Sequence, residues 1–327
     1  MTASPIRIAV DVCGGDHGSR MVIEGVLEAR KHCADGFVVH LCGHERVCEK
    51  TLDSLGVSRR EHSDWLAIEH SPQIIEPADI PSRVWRKKTK SSIVRSISLQ
   101  REGLVDATLS AGDTRILMGA AIFILGRRPG IERPALAAFL PTTTKRPTLV
   151  LDVGANLECR APHLTSFGIM GHTYYRDFFD IANPTVALLN IGKEPTKGTK
   201  AIVDAAKALG ERCEGYTGFI EGSGVLSGEA DVVVCDGFAG NVLLKSCESF
   251  HRLAEAVLGG DKRLWSALAG RMSILDAANY GAVPLVGIEG VVFKAHGSSS
   301  SLAIAHALLT AVQQVVKQRA PARRIRS

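Results

Sequence analysis

The stretch Ala230–Lys245, ADVVVCDGFAGNVLLK, runs three consecutive valines into a glycine-bounded loop and then into a second apolar segment. β-Branched residues in an unbroken apolar run read as a strand buried on both faces. The spacing after the loop predicts a helix over residues 239–258. Cys235, inside the apolar run, reads as buried. Asp236 and Asn241 stand beside Gly237 and Gly240 at the strand–helix junction. Asn241 either caps the helix or aims its amide at a reacting carbonyl.

The same event recurs along the chain. IRIAVDVCGGDHGS (6–19), FVVHLCGHE (37–45), DATLSAGDT (106–114), TLVLDVGANLEC (148–159) and TVALLNIGKE (185–194) are each a short apolar run that stops at small and polar residues. Helical spacing appears over residues 22–32, 116–125, 199–209 and 302–318. This alternation predicts an open α/β/α layered fold with a mostly parallel sheet and right-handed crossovers. Ligands of such sheets bind outside the carboxyl ends of the strands, where this sequence gathers Gly, Asp, Asn, Ser and Thr. No linker or low-complexity segment divides the chain. Residues 1–318 therefore read as a single α/β domain with two lobes around a cleft, and 319–327 as a basic, disordered tail.

A net charge of +5 over 327 residues suits an anionic small substrate or an acidic partner. Nucleic acid is not expected, because 5% aromatic residues are too few for a base-stacking surface. The eight cysteines include no C-x-x-C pair, which fits reduced thiols in a cytoplasmic protein. His40, Cys42, His44 and Cys48 are close in sequence, but the alternation of VVHLC fits a strand and its exit loop better than a metal site. No metal and no cofactor are expected. The start has no signal-peptide pattern, and no apolar run reaches about 18 residues.

Several loops are composed to meet an anion. Gly14, Gly15, Asp16 and His17 follow the first strand, where a Gly-Gly turn can hold an anion on backbone N–H groups; Asp16 serves equally well as a helix cap. In SRVWRKKTKSS, Arg83, Arg86, Lys87, Lys88 and Lys90 precede Ser91 and Ser92. Should the serines open a helix, its N-terminus and the cations converge on one anion. SAGDT sets Ser110, Asp113 and Thr114 beside Arg115. Asp152 and Asn156 end TLVLDVGAN, and Lys294, His296 and Ser298 lead into the last helix. LLNIGKEPTKGTK carries Lys193 and Lys197 but lacks the Gly-Lys-Ser/Thr of a nucleotide phosphate loop. Neither a G-x-S-x-G elbow nor a G-x-G-x-x-G fingerprint occurs.

Taken in order, AVDVCGGDHG, EPADIPSRVWRKKTKSSI, SAGDT, GIERPALAAFLPT, LDVGANLEC, HLTSFGIMG, ALLNIG with the following KG, ADVVVCDGFAGNVLLK, NYGAVPL and KAHGSSS resemble the bacterial acyl-carrier-protein:phosphate acyltransferase family (PlsX) over nearly the whole length. The resemblance implies a fold like that of isopropylmalate dehydrogenase and phosphotransacetylase, in a homodimer. It implies transfer of a fatty acyl group from acyl carrier protein to inorganic phosphate, giving acyl phosphate for phospholipid synthesis. It also implies that Lys197 neutralises phosphate and the tetrahedral oxyanion, while Asn241 positions the thioester carbonyl or the attacking oxygen. Gly14, Gly15, Asp16, His17, Arg83, Lys87, Lys88, Ser91, Ser92, Ser110, Asp113, Thr114, Arg115, Asp152, Asn156, Asp236, His296 and Ser298 would then bind substrate.

The sequence departs from the family pattern at four places. Asp113 and Arg115 replace the asparagine and second glycine of Ser-Ala-Gly-Asn-Thr-Gly, and Thr199 replaces the asparagine of Lys-Gly-Asn. FIEGSGVLSG lacks most of a Gly-Asn-Val-Glu-Gly-Arg-Asp pattern, and NYGAVPL lacks a second glycine. An acid beside a phosphate site repels it unless Arg115 pairs with the acid. The alternatives are a paralogous acyl-thioester transferase with another small acceptor, or a non-catalytic carrier-binding module. The amphipathic segment around Leu264, Trp265 and Leu268 is shorter than the family's membrane-associated hairpin, so at most weak peripheral membrane contact is expected.

Overall fold

The computed structural model describes residues 4–33, 36–58, 60–76, 78–144, 146–258 and 282–319. The expectations for Leu264, Trp265 and Leu268, for residues 320–327 and for the first three residues of NYGAVPL lie outside the described residues. The chain divides into two compact units, Met1–Gly126 with Ile288–Ser327, and Arg127–Gly287.

In the first unit, β1 (Ile6–Asp11), β2 (Phe37–Gly43), β3 (Leu66–His70), β4 (Ala107–Ser110) and β11 (Val292–Ala295) form parallel strands in the order β3-β2-β1-β4-β11. Their helices are α1 (Gly18–His32), α2 (Glu45–Ser54), α3 (Pro81–Lys87), α4 (Ser92–Arg101), α5 (Thr114–Ala120) and α10 (Ser301–Arg319). A π-helical turn, Ala121–Leu125, extends α5. Buried Val22, Ile23, Val26 and Ala29 recur at helical spacing along α1. Gly25 sits on the contact between α1 and α10. A Cβ there would stand 2.6 Å from Ile304 Cβ and 2.7 Å from the Ser301 carbonyl oxygen. Arg319 is the last residue of α10 rather than part of a free tail. Its guanidinium meets Asp106 at 2.8 Å and donates to the Ser4 carbonyl at 2.7 Å.

The second unit contains β5 (Ala135–Leu140), β6 (Thr148–Leu151), β7 (Val186–Leu189), β8 (Tyr216–Ile220), β9 (Val232–Val234) and β10 (Ala282–Val286), ordered β10-β5-β6-β9-β7-β8. β5 runs against both of its neighbours and the other pairs are parallel. Its helices are α6 (Ala161–Phe179), α7 (Lys200–Arg212), α8 (Gly222–Ser227) and α9 (Gly237–Leu258). Leu149, Leu151, Phe167, Val186, Leu188, Val232 and Val234 are wholly buried in its core. All six strands read from the sequence are present, and α9 begins two residues earlier than its spacing indicates. Among the described residues no helix is long and apolar enough to cross a membrane.

The close approach of α1 and α10 gives a stability test. Gly25→Val forces the helices apart, and such overpacking costs about 1–3 kcal/mol. The urea midpoint should fall with an unchanged denaturant slope.

Candidate active site

In the first unit the ends of β1, β4 and β11 lie side by side. Asp11, buried at the end of β1, accepts the Ser110 hydroxyl at 2.6 Å and the Cys13 N–H at 3.1 Å. The Ser92 hydroxyl bonds to the same carboxyl. Burial pushes the Asp11 carboxyl up, and these donors pull it back down. Ser110 also accepts the Gly112 N–H at 3.0 Å. A Cβ on Gly14 would lie 2.5 Å from the Gly112 nitrogen, so only glycine lets the two loops touch. Asp16 donates its N–H to the Gly297 carbonyl at 2.7 Å, which ties the third loop to the first.

The expected convergence of cations and serines is not what forms. Ser91 and Ser92 do open α4, but both are buried; Ser91 donates to the Lys88 carbonyl at 2.7 Å and Ser92 faces Asp11. Lys88 is clasped by Asp79 and the Ile74 carbonyl, each at 2.6 Å. Arg83, Arg86, Lys87 and Lys90 remain exposed. The α1 N-cap is His17, without a side-chain bond, and Asp16 does not fill that role.

Asp113 caps α5, accepting the Arg115 N–H at 2.8 Å and the Ile116 N–H at 3.2 Å. The Arg115 guanidinium closes on the same carboxylate at 2.9 Å. That hydrogen bond is the largest cause holding Asp113 below the usual carboxylate range. Thr114 begins the helix half-buried. His296 and Ser298 are exposed on the loop after β11, where His296 Nδ1 accepts the Ser298 N–H at 3.1 Å and lies 2.7 Å from its hydroxyl. Lys294 donates to the carbonyls of Ala111 and Ala295.

In the second unit Asp152 is the organiser. It is fully buried just beyond β6. Oδ1 accepts the N–H groups of Leu136, Gly154 and Ala155 at 3.0–3.1 Å. Oδ2 accepts the Asn156 N–H at 2.6 Å and its side-chain amide at 2.9 Å. Asn156 spends its remaining donor capacity on the Pro134 carbonyl. Both residues shape the loop and point inward. The Asn156 carbonyl receives the Gly237 N–H at 2.7 Å, which brings in α9. Asp236 caps α9 through the Ala239 N–H at 2.8 Å, so the cap is not Asn241. Asn241 stands exposed in the next turn, its side chain 3.8 Å from the Cβ position of Gly154. Cys235 is buried, and burial raises its thiol far above the ordinary value.

Lys197 lies on the loop after β7, the strand beside β9. Its side chain is 47% exposed and its ammonium meets Glu194 at 2.8 Å. That bond raises the Lys197 pKa and lowers that of Glu194. Buried Asn190 donates to the Lys197 carbonyl at 3.0 Å and fixes the loop. Thr199 caps α7 through the Ile202 N–H, a role an asparagine fills equally well. Lys193 pairs with Glu229. Asp11, Asn190 and Glu194 escaped the sequence reading. The signal for Asp11 was available, since VDVCGG and LDVGAN place an aspartate at the same kind of strand end. Among the described residues no cluster of three or more His, Cys, Asp or Glu is arranged to hold a metal.

The chain matches the model of a family described as "Fatty acid synthesis protein" over residues 6–322. It is 37% identical to a phosphate acyltransferase of Desulforamulus reducens, covering 97% of this chain and 96% of the relative. A phosphate acyltransferase of Geobacillus thermodenitrificans is 38% identical, with 95% of each chain covered. Among solved structures, a phosphotransacetylase from Streptococcus pyogenes superposes with a TM-score of 0.67 at 16% identity, covering 96% of this chain and 95% of that one. A 4-hydroxythreonine-4-phosphate dehydrogenase from Klebsiella pneumoniae gives 0.58 at 14% identity, covering 96% and 98%. These likenesses establish the fold class expected from the sequence.

The Asp113 cap is testable through pH. Asp113→Ala should cost about 1 kcal/mol at neutral pH, the worth of an N-cap. The folded carboxyl titrates below its ordinary 3.8. Its stabilisation is therefore present above that value and is lost as pH falls through the lower folded one. Urea unfolding of parent and variant should show the gap narrowing below pH 3.8.

Proposed function

The chain belongs to the fatty acid synthesis protein family, as a phosphate acyltransferase, and we propose that its acyl donor is acyl-acyl carrier protein and that Lys197 and Asn241 carry the transfer to inorganic phosphate. A phosphate oxygen attacks the thioester carbonyl carbon, the C–O bond forms, and a tetrahedral oxyanion develops. Collapse breaks the C–S bond, releasing the carrier thiolate, which takes up a proton, and the acyl phosphate. Phosphate is already an oxygen nucleophile, so orientation and charge screening supply most of what the step needs. The reaction feeds phospholipid synthesis, and the protein acts in the cytoplasm as a homodimer, as the resemblance implies.

The observation that carries this reading is the division of labour in the second unit. Asp152, Asn156 and Asn190 are buried and consumed in shaping loops, while Asn241 and Lys197 stay exposed on them. The Lys197 ammonium, whose pKa Glu194 raises further above the ordinary lysine value, carries the positive charge that a phosphate ligand needs, and Glu194 competes with the incoming anion for it. The departure at Asp113 does not argue for another acceptor, because Arg115 neutralises that acid within the loop.

Release of free carrier from a long-chain acyl donor, followed with and without phosphate, tests the function. Phosphate-dependent release with acyl phosphate as product is expected; release independent of phosphate would overturn the acceptor. Lys197→Ala and Asn241→Ala should each lower kcat/KM by about 10²–10³, the loss typical of one oxyanion donor. Glu194→Gln frees the ammonium and should lower the phosphate KM. It should also bring the Lys197 titration, which lies above 10.5 in the parent, down toward the ordinary lysine value, as read by NMR of labelled lysine.

A further inference from the structure

The cations of residues 80–92 leave an unabsorbed feature in the first unit. IPSRVWRKKTKSS holds five cations and no acid. Lys88 is spent on Asp79, whose charge Lys87 also feels, but Arg83, Arg86, Lys87 and Lys90 are exposed and no salt bridge joins them to a described residue. An aromatic stack is built into the same surface. Trp85 and Phe123 lie with ring centroids 4.2 Å apart and planes 11° apart. The Arg86 guanidinium sits 4.3 Å from the Trp85 centroid. Phe123 and the Arg86 guanidinium therefore both pack on the Trp85 ring. Its indole N–H donates to the Ser82 carbonyl at 3.0 Å, which fixes the ring. Phe123 is 56% exposed and Ile80 52%.

We propose that this surface, formed by α3 and the π-helical turn, docks the protein part of the acyl carrier through one of the carrier's acidic helices. The proposal rests on the reading that the donor is a carrier-bound thioester. A row of cations answered by the single carboxylate of Asp79 keeps a net positive face, which complements an acidic partner and sets encounter rate and orientation. Rigid, partly exposed aromatic and arginine side chains are the composition of interface anchors. A membrane surface is the poorer match, because the Trp85 ring is held by Phe123, Arg86 and the Ser82 carbonyl and is not free to enter a headgroup layer. Both elements also lead to strand-end loops. α3 runs through Lys88 to Ser92, which bonds to Asp11, and the π-helical turn continues the helix that Asp113 caps. A carrier seated here delivers its flexible arm beside the loops after β1 and β4.

Arg86→Glu/Lys90→Glu alters two exposed side chains outside the transfer chemistry. Steady-state kinetics of the full chain at saturating phosphate should show the KM for acyl-acyl carrier protein rising about tenfold or more. Turnover of an acyl-pantetheine thioester that lacks the protein should stay unchanged, and circular dichroism should report an intact fold. The unaltered protein gives an independent readout: its kcat/KM for the carrier substrate should fall steeply with salt, and that for the pantetheine thioester should not. An unchanged carrier KM in a parent that uses the carrier would overturn the docking surface and leave the donor reading standing. Equal losses on both thioesters would assign the patch to the arm or phosphate and also overturn it. A parent that turns over the pantetheine thioester but not the carrier would sink the donor reading and the docking surface together. Parent pelleting with phosphatidylglycerol vesicles, abolished in the variant while the carrier KM holds, would reassign the surface to lipid.

Discussion

A carboxylate taken out of water at the end of a strand has to be met by donors, because an unmatched charge in that position costs several kcal/mol. Asp152 is met by five N–H groups from four residues, and Asp11 by two hydroxyls and the backbone N–H groups of Cys13 and Gly14. Meeting that demand curls the chain around each carboxyl. The residues left on the outer turn are then held without hydrogen bonds of their own being drawn inward. Asn241 owes its place over Gly154 to the loop that Asp152 winds, and the SAGDT loop is anchored through Ser110 to Asp11.

This division explains what the sequence could and could not convey. Short apolar runs mark β1, β2, β4, β6, β7 and β9, unbroken at VALL and VVV, because a strand buried on both faces has little room for polar residues. β5 is harder to see, because ALAAFL carries neither β-branching nor alternation. α6 is similarly quiet: its glycines lower helix propensity, yet they let the helix settle on the sheet, where a Cβ at Gly171 would stand 2.6 Å from Val232 Cγ1. Candidate residues were legible as types at strand ends. Their direction was not, because whether Asn156 faces the ligand or the loop depends on Asp152, a partner four residues away.

Local charge pairing also separates appearance from effect. Asp113 beside Arg115 looks in the sequence like a changed specificity. In the folded loop it is a cap whose charge is answered two residues away. The Lys197–Glu194 pair runs the other way, since a lysine that looks free in the sequence is held by a carboxylate three residues earlier. Exposed pairs of this kind contribute little to stability. Their importance lies in which group is left available to an incoming anion.

The first unit is assembled from both ends of the chain, with β11 and α10 arriving after the whole of the second unit has been written. During synthesis, then, β4 waits with one edge unpaired, and the face of α1 around Gly25 waits uncovered, until residues from Ile288 onward leave the ribosome. The second unit is continuous and free to fold meanwhile. An open strand edge is a template for the wrong neighbour. Truncation near the C-terminus therefore exposes the oldest part of the nascent chain, and it is there that a holding chaperone would find its substrate.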